Sequence, residues 1–286
     1  FGEQAFTGGA WYWGIGVVFL FFLGFFSTKS WMRWWGLGSL LFLVFLSWGK
    51  YFPAFNYFLF DHFPLFNKFR AVSMAINLGH MVLLLIGLFG LREFFALDKE
   101  SQIKAIKMTL IPMGVILLIG FWQGWMVNLS GSVDEQIKAF PDLISALHKD
   151  RAASVRADVW RALFFVLAIG GFFYLYAKNQ WKPGLALLIV PALILIDLVT
   201  VDKRYLPNSR FVPNSDMTTA EEPRPVDLQI MQDKDLSFRV VDFSTNPFQD
   251  AFLSNFHKSA GGYHSAKLGI YQDAIEKYLS NPKDYL

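Results

Sequence analysis

From Trp11 to Phe26 the chain runs without a single charged side chain, and from Ile15 to Phe26 it has no polar stripe. A helix in a water-soluble core keeps such a stripe on the face turned from the core. A run that is apolar all round needs a surrounding that is apolar all round. Hydrocarbon supplies it, and a span takes about 17–25 residues.

Five further runs approach that pattern: Trp34–Trp48, Ala71–Phe89, Met108–Val127, Val159–Ala177 and Leu185–Val201. Pro112 and Pro191 fall inside two of them. Membrane helices tolerate proline where neighbours satisfy the freed carbonyls. Charged residues are only 17% of the 286, against 54% hydrophobic; soluble domains carry about 25% charged. The expected fold is therefore a membrane all-α domain over residues 1–201, with about six transmembrane helices. The net charge of +3 is dispersed, so no basic patch suggests nucleic acid. With no cysteine, disulfides, thiol nucleophiles and thiolate metal sites are excluded. The chain starts at Phe1 without a leader pattern, and reads as a window of a longer protein.

Lys and Arg in the short loops set the orientation. Residues 27–34, 98–107 and 178–182 hold as many basic residues as 49–70 and 128–156, in less than half the length. The denser side is expected to be cytoplasmic, which leaves residues 202–286 outside. Trp11, Trp31, Trp48, Trp125, Trp160 and Trp181 fall near span ends, as an aromatic belt requires. Phe52–Phe69, rich in Phe but broken by Pro53, Asp61, Pro64 and Lys68, reads as a short helix lying in the interface. Asp134–Val155 reads as one or two amphipathic helices.

After Val201 the composition changes. Pro207, Pro213, Pro223 and Pro225 suggest an extended linker over 206–227. Ser237–Phe243 reads as a strand, and Asn246–Phe256 and Ala266–Leu279 as helices about Gly261-Gly262. A small extracytoplasmic α/β domain is expected over 202–286.

Asp61, His62, Lys68 and Arg70 cluster at the expected outer surface. Lys and Arg there could hold a lipid phosphate or could be snorkelling anchors. His80 lies mid-span, where an ionisable residue is costly and often functional, though a neutral His can simply bond between helices. Asp197, in the last span, could pair with an Arg of another helix, line a polar cavity or form a structural ion pair. No second His or carboxylate stands three or four residues from His80, so no metal site is expected. Walker, GxGxxG, HExxH and GxSxG patterns are absent. No catalytic residue and no cofactor is assigned.

Several segments resemble a known family. Gly2-Glu3-Gln4-Ala5-Phe6-Thr7-Gly8-Gly9, Leu46-Ser47-Trp48-Gly49-Lys50, Phe66-Asn67-Lys68-Phe69-Arg70, Asn246-Pro247-Phe248-Gln249-Asp250-Ala251 and His257–Leu268 are similar to stretches of YfhO-type bacterial membrane proteins. Ala10, Pro247 and Ser265 depart from the commoner residues. The resemblance implies a GT-C-like glycosyltransferase in the bacterial inner membrane. Such enzymes move a sugar from a polyprenyl-phosphate donor to an envelope glycan or lipid. It also implies that the catalytic acid lies upstream of Phe1, and that His257, Gly261, Gly262, Tyr263 and His264 shape an outer acceptor cleft. The same cleft segment could be an ordinary packing turn. A lipid or polymer flippase and a non-catalytic scaffold are the alternatives, and membrane lipids are expected partners in each.

Overall fold

A computed structural model describes residues 11–68, 72–179, 181, 183–213, 222–235, 237–263 and 268–279. It is 74% helical, with no strand among the described residues. The chain divides into two compact units, Phe1–Pro207 and Asn208–Leu286.

The first unit is a helical bundle. Its elements are α1 (Ile15–Ser27), α2 (Met32–Ser47), α3 (Pro53–His62), α4 (Ile76–Ala96), α5 (Lys99–Met126), α6 (Ser132–Gln136), α7 (Pro141–Ala177) and α8 (Ala186–Tyr205). Three stretches are long and apolar enough to cross a membrane: Val72–Ala96, Lys99–Met126 and Pro141–Ala177. Of the six spans expected, length and composition show these three. α1 and α2 have 13 and 16 residues, below the roughly 17 a span needs. α8 carries Asp197, Asp202, Lys203 and Arg204.

Several helices outrun their apolar parts. α4 continues through Arg92 and Glu93 to Ala96, and α5 begins nine residues before Met108. The Asp98 side chain accepts the Ser101 N–H at 3.1 Å and starts α5 there. α7 joins the expected amphipathic stretch and the expected fifth span into one helix of 37 residues. No Gly or Pro interrupts it between Pro141 and Gly170, so nothing ends it at the membrane edge.

α1 is the buried axis. It lies along α4 and also touches α5, α7 and α8, while α2 packs on α4 beside it and α5 pairs with α7. Phe19, Phe21 and Leu23 of α1 are wholly buried. Phe19 and Leu20 pack with Phe94, Met113, Ile169 and Phe173; Val17 and Phe21 pack with Val82, Leu83 and Ile86. Glycines let the backbones meet. A Cβ on Gly90 would stand 1.9 Å from the Gly24 Cα, and one on Gly24 would stand 2.4 Å from the Ile86 carbonyl oxygen. Small residues at helix contacts serve this purpose in membranes.

The outside of the bundle is as apolar as its inside. Leu85 and Leu88 on α4, Ile111 and Leu118 on α5, Phe164 and Leu167 on α7, and Leu188 and Leu195 on α8 are all exposed. A water-facing bundle could not leave so continuous an apolar surface uncovered. Around it Trp11, Trp31, Trp48, Trp125 and Trp160 are exposed too.

α3 is fastened to α2 through Asn56, whose Nδ2 donates to the Phe45 carbonyl at 2.9 Å and to that of Phe52 at 3.3 Å. Tyr57, Phe58, Phe60 and Phe63 stay exposed.

In the second unit the α/β expectation is corrected. Within Ser237–Phe243 the β-pairing is an isolated parallel bridge from Val240 to Ser259. Asx-type bonds bound the run on both sides, from Ser237 N–H to Asp235 and from Ser244 N–H to Asp242. The expected helix Asn246–Phe256 shrinks to a 3₁₀ turn at Phe252–Asn255. Asn246 and Asp250 accept the N–H groups two residues on, and so compete with helical bonding. A helix starts at Gly269 and runs to Ala274, followed by a wider turn to Leu279. Within the expected linker, Pro225–Ile230 is helical.

Candidate functional site

In the bundle, charged side chains from α7 and α8 converge beside the start of α1. Gly14, at φ +82°, turns the chain so that Tyr12 folds back on the first turn of α1. A residue with a Cβ is strained at that angle, and here the Cβ would also press on Leu198 at 2.9 Å.

Asp197 is wholly buried. The Tyr12 hydroxyl reaches its Oδ2 at 2.7 Å and its Oδ1 at 2.9 Å, and the Ile15 N–H donates to Oδ2 at 2.9 Å. Ile15 is the first residue of α1, so Asp197 caps α1 from α8, where the helix dipole favours a negative charge. That accounts for a charge buried in an apolar bundle.

Arg161 of α7 lies over the Tyr12 ring, with Cζ 4.8 Å from its centroid. Its Nη1 is 3.8 Å from Asp197 Oδ1, beyond hydrogen-bond reach, and its Nη2 is 3.3 Å from Asp158 Oδ1. Arg204 of α8 donates from Nη1 to the same Asp158 oxygen at 2.6 Å. Arg161 is 13% exposed, and its Nε and Nη1 are buried without an acceptor. A buried donor left without a partner costs about 1–3 kcal/mol.

A second polar group holds the segment after α5. The Asp134 carboxylate takes Arg151 Nη1 at 2.9 Å, His148 Nε2 at 2.7 Å and the Gly131 N–H at 2.9 Å. Arg151 also donates to the Leu129 carbonyl at 3.0 Å. The Arg151 guanidinium, aided by His148, holds the Asp134 carboxyl well below the usual carboxylate range. This group pins residues 129–134 to the first turns of α7.

In the second unit a buried carboxylate lies at the centre of another group. Asp227 meets Arg224 Nε at 2.8 Å and His257 Nε2 at 3.0 Å, and Arg224 Nη1 reaches Asp242 at 2.7 Å. Arg224 first, and His257 after it, hold the Asp227 carboxyl far below its usual range, against the opposing effect of burial. The two carboxylates in turn push the Arg224 guanidinium up.

The residues singled out in the sequence fall apart into separate places. Asp61 and His62 are exposed at the end of α3, where His62 stacks on Phe58 with ring centroids 4.8 Å apart. Lys68 closes the turn Phe66–Lys68, while Arg70 and His264 lie outside the described residues. His80 is half-buried in α4, with no hydrogen bond or ion pair among the described residues. Gly261 is used by the chain itself: a Cβ there would stand 2.0 Å from the Pro247 carbonyl oxygen, which accepts the Gly262 N–H at 2.7 Å. Gly262 has φ +108°, and Tyr263 beside it is exposed. Gly261 and Gly262 thus form a packing turn closed against Pro247.

Tyr12, Asp158, Arg161, Arg224 and Asp227 were not singled out in the sequence. The local signals for them are spacings of three, Asp158 to Arg161 at the head of an apolar run and Arg224 to Asp227; Tyr12 has none. The described residues hold no group of three or more metal-capable side chains. No protein-family model, no curated protein and no solved structure matches the chain.

Proposed function

We propose that this chain is the membrane-embedded part of a GT-C-like glycosyltransferase that takes a sugar from a polyprenyl-phosphate donor and passes it to an envelope glycan or lipid. The observation that carries the reading is the gathering of Asp158, Arg161, Asp197 and Arg204 at one end of an apolar-surfaced bundle. Ionisable groups within membrane helices, such as the buried Asp197, are costly and often functional. The resemblance of residues 46–50, 66–70 and 246–268 to YfhO-type proteins supplies the reaction class.

In this reading α1, α2 and α8 complete six crossings of the bacterial cytoplasmic membrane with α4, α5 and α7. Residues 208–286 lie on the extracytoplasmic side, where the acceptor approaches. The alternatives are a lipid or polymer flippase and a scaffold.

The test is reconstitution in liposomes with a polyprenyl-phosphate sugar labelled in the sugar. Covalent transfer of label to an envelope glycan or lipid acceptor is the expected result. Movement of labelled lipid between leaflets without transfer would replace the enzyme by the flippase. Neither activity would leave the scaffold.

A further inference from the structure

We propose that Arg161 and Arg204 form the seat for the phosphate headgroup of a membrane lipid, with Asp158 as the internal counter-ion that the phosphate displaces. The choice of a lipid-linked sugar phosphate as the occupant rests on the function proposed above; the seat itself does not.

Two guanidiniums from neighbouring helices now share one carboxylate oxygen, Asp158 Oδ1, at 2.6 Å and 3.3 Å. One oxygen cannot serve two forks, and Arg161 keeps two buried nitrogens without an acceptor. A phosphate offers several oxygens, and suits paired guanidiniums better than a single carboxylate oxygen does. Asp197 does not fill the gap, because Tyr12 and the first turn of α1 already occupy its carboxylate.

Asp158 and Arg204 have side chains 44% and 42% exposed, so the carboxylate has room to swing into solvent. Once it leaves, Arg161, Arg204 and Asp197 carry one net positive charge, which a phosphate monoanion neutralises. The depth also fits a lipid headgroup. Counting about 20 residues of hydrocarbon back from Ala177 brings α7 out of the membrane beside Asp158. Trp160, 61% exposed, stands there as an interfacial residue does.

The experiment measures binding of undecaprenyl phosphate, undecaprenol and phosphatidylglycerol to the purified chain in an uncharged detergent, by native mass spectrometry. Undecaprenyl phosphate binds and undecaprenol, which lacks the phosphate, does not. Arg204→Gln, at a half-exposed position that leaves the fold intact, weakens binding by about tenfold, the worth of a charge-assisted hydrogen bond. Asp158→Asn tightens binding, because it removes the competing carboxylate; a merely structural ion pair would give no gain. Unchanged or weaker binding in Asp158→Asn, or unchanged binding in Arg204→Gln, overturns the seat. Equal binding of phosphatidylglycerol keeps the seat and assigns it to bulk phospholipid. A chain that binds undecaprenyl phosphate but transfers no sugar overturns the proposed function alone. One that transfers sugar with binding untouched by Arg204→Gln overturns the seat alone.

Discussion

Replacing Gly90 by Ala tests the architecture at its tightest point. The new methyl carbon would lie 1.9 Å from the Gly24 Cα and 2.7 Å from the Gly24 carbonyl oxygen. Carbon atoms in contact sit about 3.5–4.0 Å apart, so α1 and α4 must separate locally by roughly 1.5–2 Å. The obstructing atoms are backbone, so no side chain can rotate away. A gap of about 0.5–1 Å already forfeits a quarter to a half of a dispersion well. The loss falls on Phe21 against Leu83 and Ile86, and on Leu20 and Leu23 against Phe94, all buried. Overpacking costs about 1–3 kcal/mol, occasionally more, and the lack of any escape sets the expectation at about 3 kcal/mol. For a unit of this size that is a fall of about 6–12 °C in Tm. The assay is the loss of monodisperse protein on heating in detergent, read by size exclusion. Gly171→Ala on α7 is the control, since a Cβ there meets nothing within 4 Å. It should leave Tm unchanged or raise it slightly, as Ala in a helix does over Gly. Equal Tm values for the two variants would refute the backbone contact between α1 and α4.

Two further outcomes follow from the polar groups. The Asp227 carboxyl is held down by Arg224 and His257, so its folded pKa lies below its unfolded value. Its contribution is fully present above the ordinary Asp value of about 3.9 and is lost as pH falls below it. Protease cleavage between residues 225 and 260 of the whole chain should rise on acidification in the parent, while Asp227→Asn should be cleaved at neutral pH already; matching acid profiles would remove Asp227 from the stability of this unit. Asn56→Ala removes the one side-chain bond from Asn56 to α2, at the Phe45 carbonyl, costs about 1 kcal/mol, and should speed cleavage within residues 49–66; an unchanged rate would mean that the aromatic contacts alone hold α3.

Hydrophobic patterning determined most of the first unit before any coordinates. Lack of charge over Trp11–Phe26 or Met108–Val127 is a property of each segment alone, and it dictates both a helix and an apolar surrounding. It also marked a short helix within Phe52–Phe69, seen at Pro53–His62, because Pro53 and Pro64 are local signals. Where elements stop was less legible. The helical continuation of α7 through Asp158 depends on the absence of a breaker, which an apolar count does not register. In residues 237–256 the local side-chain bonds of Asp242, Asn246 and Asp250 outweighed the β-rich composition.

The assembly of the polar group could not be read from the chain. Tyr12 and Asp197 are 185 residues apart, and no spacing rule links them. Asp197 alone was visible as an odd charge in an apolar run. Its role as a cap for another helix, and the consequent freeing of Arg161, arise only when α1, α7 and α8 pack side by side. Hydropathy is summed along one segment, whereas a shared carboxylate depends on three. For that reason the sequence settled what surrounds the helices, and the packed bundle decided which charges meet.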